Sequence, residues 1–171
     1  SLVENLLRLA RLDERPDLDL EPLDLTDALF DAAQDLRALD PDRQVMVVSL
    51  QGTPLSVQPH VPFGVLGDEA SLRQVILNLV GNANRHTPEG GRIEVVLRTE
   101  DGEVQVSIAD SGPGIPIERR ATLFTTPPAL GSARPDSGGL GLLIVHRILQ
   151  LHQRDIHLLD SREGALFAFT L

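Results

Sequence analysis

The segment from Asp68 to Arg85 carries apolar residues at Leu72, Val75, Ile76, Leu79, Val80 and Ala83, the spacing of one buried helical face. Asn78, Asn82 and Arg85 run along the flank of that face, within about 60° of one another at about 100° per residue. Such a helix has to pack on a sheet or on other helices. It then holds two carboxamides and a guanidinium at the edge of the core, where a cleft rather than bulk water lies. His86 follows directly, and Asp68 and Glu69 ahead of the apolar run read as helix cap and first-turn charge, not as catalysts.

The rest of the chain supplies what that helix packs on. Ile93–Thr99 and Glu103–Ala109 alternate as strands around the turn Glu100-Asp101-Gly102. Gln44–Leu50 and Phe63–Leu66 also read as strands, separated by a Gly/Pro-rich loop from Gly52 to Pro62. Thr26 is placed to cap a helix running to about Leu39, with Leu25, Leu29, Ala32, Ala33 and Leu36 inward. A short helix is expected after Pro116, and a loop over Thr125–Ser137, mobile in the absence of ligand. Gly139–His152 is apolar nearly all round and predicts a buried helix; Asp155–Asp160 and Ala165–Leu171 close the chain as strands. These elements predict an α/β two-layer sandwich, a mixed sheet with helices on one face. At the start, Leu2, Leu6 and Leu9 form a stripe, with Val3 and Ala10 beside it, that needs a packing partner, and an acidic, Pro-bearing linker follows.

Composition removes several classes of function. A length of 171 residues suits one domain with a real core. There is no Cys, so disulfide frameworks and thiolate metal sites are excluded. The net charge of −10 argues against a nucleic-acid surface, and no run approaches a membrane span, so no direct membrane contact is expected. All fifteen Lys+Arg positions are Arg, a bias that points to a GC-rich genome. The start at Ser1 and the single Met at position 46 lead us to expect a fragment of a longer chain.

Two glycine segments follow the amide-bearing helix. In Asp110-Ser111-Gly112-Pro113-Gly114-Ile115 a carboxylate ends a strand and enters a turn where glycine can take positive φ. Such a carboxylate can accept a bond from an exocyclic amine such as adenine N6, and the glycines leave room for a ring against backbone. In Gly138-Gly139-Leu140-Gly141-Leu142 the glycines open a helix whose free N–H groups and dipole favour anions. A Pro-rich loop precedes them in place of the strand that a dinucleotide fold would need. Carboxamide oxygens at Asn78 and Asn82 can ligate Mg²⁺, which takes the rest of its shell from waters and substrate phosphates. Arg85 can neutralise a phosphate, His86 can lie against a purine, and Arg134, the only cation of the 125–137 loop, is a candidate γ-phosphate contact. His146, His152 and His157 show no metal spacing and read as structural or surface residues.

In this order, Asn78-Leu79-Val80-Gly81-Asn82-Ala83-Asn84-Arg85-His86-Thr87 and the two glycine segments resemble the ATP-binding catalytic domain of sensor histidine kinases, in the GHKL (HATPase_c) superfamily with its Bergerat-type fold. The resemblance covers nearly the whole chain. It implies a dimerisation-helix remnant over 1–13, a linker over 14–24 and a catalytic domain over 25–171. By resemblance Asn78 and Asn82 match the magnesium-associated pair, Arg85 the basic phosphate contact and His86 the residue beside adenine. Asp110 matches the adenine-reading Asp, Gly112 and Gly114 its glycines with Ile115 after them, and Gly139 and Gly141 the triphosphate glycines with Leu140 and Leu142. Asn78 and Arg85 would be the catalytic pair, and ATP and Mg²⁺ the cofactors. The implied partners are a His-bearing dimerisation domain, on the same or another polypeptide, and a response-regulator receiver domain. The implied setting is cytoplasmic, and the resemblance allows a membrane-anchored parent protein.

Three departures stand out. Leu123-Phe124-Thr125-Thr126 has one Phe where the family has two, Ser137-Gly138 replaces a Gly and a Ser/Thr, and Ala165 replaces a Thr. By the same resemblance, the dimerisation domain's first helix with its phosphoacceptor His is not among these 171 residues and is expected elsewhere, on a longer parent or another polypeptide. Two alternatives stay open: a nucleotide-binding regulatory module without phosphotransfer, or another GHKL ATPase. The gyrase and mismatch-repair types would need a carboxylate where Asn78 stands.

Overall fold

The structure is a computed structural model that describes residues 2–14, 17–42, 44–48, 64–125 and 140–171. In chain order the elements are α1 (Leu2–Asp13), β1 (Glu21–Asp24), α2 (Leu25–Leu39), β2 (Gln44–Val48), β3 (Gly64–Gly67) and α3 (Glu69–His86). They continue with β4 (Arg92–Glu100), β5 (Glu103–Asp110), α4 (Ile117–Arg120), α5 (Leu140–Leu151), β6 (Ile156–Leu159) and β7 (Leu166–Thr170). The main sheet runs β2-β4-β5-β7-β6. Among the described strands of this sheet only the β2–β4 pair is parallel, so the sheet is mixed, as the strand pattern predicts.

Alternation decides which face is covered. Ile93, Val95 and Leu97 of β4 and Val104, Val106 and Ile108 of β5 are buried, and the residues between them are more open. Helices α3 and α5 pack over that inner face, and α2 lies against α3 and β2. Leu72, Val75, Ile76 and Leu79 of α3 and Ile144, Val145, Ile148 and Leu149 of α5 are at most 2% exposed, which places the core between these helices and the sheet. The β4–β5 hairpin turns through Asp101 (φ 52) and Gly102 (φ 81), the two left-handed positions that an Asp-Gly type I′ turn requires.

Three sequence expectations are corrected. Residues 21–24, expected within a linker, form strand β1, which pairs antiparallel with β3 from Glu21↔Gly67 to Asp24↔Gly64. A four-residue strand holding Pro22 has no periodicity to read; its ladder partner creates it. Helix α2 is capped by Asp24 rather than Thr26: the Asp24 carboxylate accepts from the Thr26 backbone N–H at 2.8 Å, and Thr26 itself is fully buried. On α1 the apolar stripe divides. Leu12 and Leu9 pack on the core, whereas Val3, Leu6 and Leu7 remain 64%, 49% and 55% exposed. Helix α1 lies along α5, with Arg147 Nε 3.1 Å from Asp13 Oδ1.

The remaining boundaries move by a residue or two. The expected strand from Phe63 is Gly64–Gly67, and Phe63 with the 52–62 loop lies outside the described residues. The same holds for the 125–137 loop beyond Thr125.

Candidate functional site

Helix α3 begins as its sequence demands. The Asp68 carboxylate accepts from the Ser71 N–H at 2.8 Å, and from the Asp19 N–H at 3.1 Å. Burial pushes the Asp68 pKa up. The hydrogen bonds from Ser71 and Asp19 and the nearby His152 outweigh that push and hold it below its ordinary value. His152 Nε2 accepts from the Asp68 N–H while Nδ1 meets the Ile148 carbonyl, which ties the end of α5 to the start of α3. His152 is therefore structural, as its spacing implies.

Further along α3 the amide flank meets α5. Asn78 Nδ2 donates to the Gly141 carbonyl at 3.2 Å, and Asn78 Oδ1 accepts from Gln74 Nε2 at 2.7 Å. Asn82 is 4% exposed, and among the described residues nothing hydrogen-bonds its carboxamide. Its polar atoms are not among the sealed, unpartnered groups, so they stay open to solvent or to a ligand. Arg85 and His86 are exposed at the helix end. Burial, followed by the Arg85 charge, lowers the His86 pKa, and Asp110 opposes them.

Asp110 ends β5 at 6% exposure. Its Oδ1 accepts from the Gly112 N–H at 2.8 Å and from the Ala165 N–H at 3.3 Å, and its own N–H donates to the Ala165 carbonyl at 3.0 Å. These bonds fix the carboxylate and leave Oδ2 for a donor in the cleft. The close approach of backbone segments there is possible only because particular residues lack a side chain. A Cβ on Gly112 would sit 2.4 Å from the His86 carbonyl oxygen and 2.8 Å from Asp110 Oδ1. Gly114 has φ 76, as the turn sequence predicts. Ile115 packs against the core edge.

The structure thus brings Asn78 to Gly141, and Asp110 to Gly112 and the end of α3. Leu140 and Leu142 are each 4% exposed, as a buried helix predicts, which leaves their backbone to face a ligand. Gly139 and Arg134 lie outside the described residues. Sequence reasoning missed Gly164, whose φ is 65 and whose added Cβ would lie 1.8 Å from the Asp110 carbonyl oxygen. The polar Ser161-Arg162-Glu163-Gly164 turn before the last strand was its only signal. Ala165 acts through its backbone on Asp110, which any residue type supplies. Phe124 is held by rings: it stacks on His146 at 6.2 Å and meets Phe167 edge-on at 6.0 Å.

Comparison with known proteins identifies the family and the fold. The family described as histidine kinase-, DNA gyrase B- and HSP90-like ATPase matches residues 67–171. The probable sensor histidine kinase TcrY of Mycobacterium tuberculosis is 34% identical over 173 residues, covering 99% of this chain and 34% of that protein. The sensor protein kinase PmrB of Pseudomonas aeruginosa is 34% identical over 170 residues, covering 96% of this chain and 33% of its own length. The chain thus spans about a third of the length of these curated relatives. Among solved structures, full-length ShkA in complex with AMPPNP superposes with a TM-score of 0.77 at 29% identity, over 99% of this chain and 34% of that one. The mycobacterial sensor histidine kinase MprB superposes at 0.70 with 28% identity, over 89% and 96%. The chain belongs to the histidine kinase-, DNA gyrase B- and HSP90-like ATPase family, as a catalytic ATP-binding domain of the sensor-kinase type.

Proposed function

We propose that this domain binds Mg²⁺-ATP between α3 and the start of α5, and donates the γ-phosphoryl group to a histidine on a dimerisation domain. The observation that carries the reading is the 3.2 Å bond joining Asn78 to the Gly141 backbone. It sets an amide-rich helix flank beside a helix N-terminus, so metal-ligating oxygens and anion-binding N–H groups face one space. Among the described residues no cluster of three or more His, Asp or Glu could hold a metal. An ion here would therefore rest on the oxygens of Asn78 and Asn82 and on substrate phosphates, as Mg²⁺ does. The Asn82 amide, which nothing hydrogen-bonds among the described residues, fits that role. When bound, Mg²⁺ would neutralise charge developing on the phosphate oxygens. Arg85 would add a cation at the same edge, His86 would flank the base, and Asp110 Oδ2 would accept from adenine N6. Arg134 and Gly139 complete the phosphate side in this reading.

In the transfer, a bond forms from the γ-phosphorus to an imidazole nitrogen as the bond to the β,γ-bridging oxygen breaks and ADP leaves. Among the described histidines none serves as acceptor in this reading: His86 belongs to the base site, His146 and His152 are held by Phe124, Asp155 and Asp68, and His157 is exposed on strand β6 rather than on a helix. The reading therefore places the acceptor on another segment, makes α1 the end of a dimerisation helix, and makes a response regulator the onward recipient. The whole-length relatives, named as sensor kinases, support that assignment.

The test is labelling with γ-labelled ATP. The chain alone should stay unlabelled, and an added His-bearing dimerisation domain should gain acid-labile phosphate. Asp110→Asn should weaken ATP binding about ten- to a hundred-fold, since hydrogen bonds to charged groups contribute about 1.5–3 kcal/mol. Equal ATP and GTP affinities in the wild type would overturn the adenine assignment, and labelling of the isolated chain would overturn the division of roles.

A further inference from the structure

A polar relay crosses three helices. Arg8 of α1 donates to Gln74 Oε1, Gln74 Nε2 donates to Asn78 Oδ1 at 2.7 Å, and Asn78 Nδ2 donates to the Gly141 carbonyl at 3.2 Å. Gln74 and Asn78 stand four residues apart on one face of α3. Carboxamides can ordinarily turn end for end, because both ends hydrogen-bond. Here neither can. A guanidinium only donates, so Gln74 must show it an oxygen; a backbone carbonyl only accepts, so Asn78 must show it an NH₂. With both outer ends fixed, the central contact has one polarity, an N–H of Gln74 on the oxygen of Asn78. That oxygen keeps a second lone pair.

We propose that Gln74 is a positioning residue for Asn78, and that Arg8 sets its polarity, so that the packing of α1 on α3 bears on metal-nucleotide binding. The inference rests on the reading of Asn78 as a magnesium ligand. A ligand oxygen that also accepts a hydrogen bond is held in direction, and partners of that kind tune metal affinity by about ten- to a hundred-fold. Gln74 is not a ligand in this reading, because its oxygen is taken up by Arg8 and the end it turns to Asn78 is a donor. Its contribution passes through the amide it holds. Arg8 contributes from outside the catalytic domain, on the helix that would join it to its dimerisation partner.

Gln74→Glu separates the proposal from simple packing. The carboxylate still accepts from Arg8 but offers Asn78 no proton, so two oxygens face each other and the Asn78 amide is pushed off its bond to Gly141. Gln74→Met is the uncharged counterpart without a donor. Calorimetry on the full chain with Mg²⁺-ATP and with adenosine, plus thermal unfolding, gives the readout. Both variants should lose about ten-fold in Mg²⁺-ATP affinity, with adenosine affinity and unfolding temperature unchanged. Arg8→Met should lose less, in the same direction. In an Asn78→Ala background Gln74→Met should cost nothing further. Wild-type Mg²⁺-ATP affinity in both Gln74 variants, while Asn78→Ala alone is impaired, would overturn the positioning role and leave the metal assignment standing. Unimpaired Asn78→Ala would instead overturn the metal assignment itself. Losses that add in the double variant would show that Gln74 acts by another route, and would also overturn the proposal.

Discussion

Replacing Gly164 with alanine should damage this domain more than any exposed-turn substitution has a right to. The residue sits at φ 65, where an L side chain is strained by roughly 1–2 kcal/mol. Its new Cβ would lie 1.8 Å from the Asp110 carbonyl oxygen and 2.6 Å from Oδ1. The obstacle is mainly backbone, so no rotamer change relieves it, and the two strands must part. Parting them breaks the Asp110–Ala165 pairing in both directions, including the bond from the Ala165 N–H to a buried carboxylate. A hydrogen bond to a charged group contributes about 1.5–3 kcal/mol. Strain and lost bonding together give about 3–5 kcal/mol, a large share of the 5–15 kcal/mol that typically holds a domain folded. With a urea slope of about 2 kcal/mol/M, the unfolding midpoint should fall by roughly 2 M.

Far-UV circular dichroism is the suitable probe, because the chain has no Trp or Tyr to report by fluorescence. Gly81→Ala is the control: it lies within α3, has nothing within 4 Å of its added Cβ, and should stabilise by up to about 1 kcal/mol. A midpoint shift under about 0.5 M for Gly164→Ala, with ATP affinity retained, would refute the argument that Gly164 buttresses the Asp110 carboxylate, the proposed reader of the base.

Asn82→Ala should separate binding from stability. Its amide has no protein partner among the described residues, so urea unfolding should be unchanged or slightly later, while Mg²⁺-ATP affinity should fall about ten-fold and adenosine affinity should hold. Equal loss for both ligands would make Asn82 a packing residue. The His86 imidazole should titrate below 6.5 by NMR, because burial and then Arg85 disfavour its charged form. The folded state thus prefers neutral His86, a preference complete above the unfolded pKa and lost as pH falls through the lower folded-state pKa. Asp110 opposes this shift, so Asp110→Asn should move the midpoint lower still, and an upward movement would contradict the arrangement at the end of α3.

The sequence by itself determined those parts of this protein that repeat at short range. The 3.6-residue stripe of α3, the alternation of β4 and β5 and the Asp-Gly turn between them each put their apolar or turn residues within a few positions of one another, where period and propensity can be read. Asn78, Asn82, Asp110 and Gly112 were legible for the same reason, each lying within a local run whose chemistry is distinctive. Tertiary structure alone decided what joins runs far apart. Strand β1 exists because β3, more than forty residues on, offers it a ladder. The split of the α1 stripe, with Leu9 and Leu12 inward and Leu6 exposed, depends on where α5 lies. Gly164 matters because β7 brings its turn against Asp110, fifty-four positions earlier in the chain. Gln74 acquires a direction only when Arg8 and the Gly141 carbonyl close on the two ends of its relay. Hydrogen bonds and steric limits act over about 3 Å whatever the separation in sequence, so a local pattern cannot announce them.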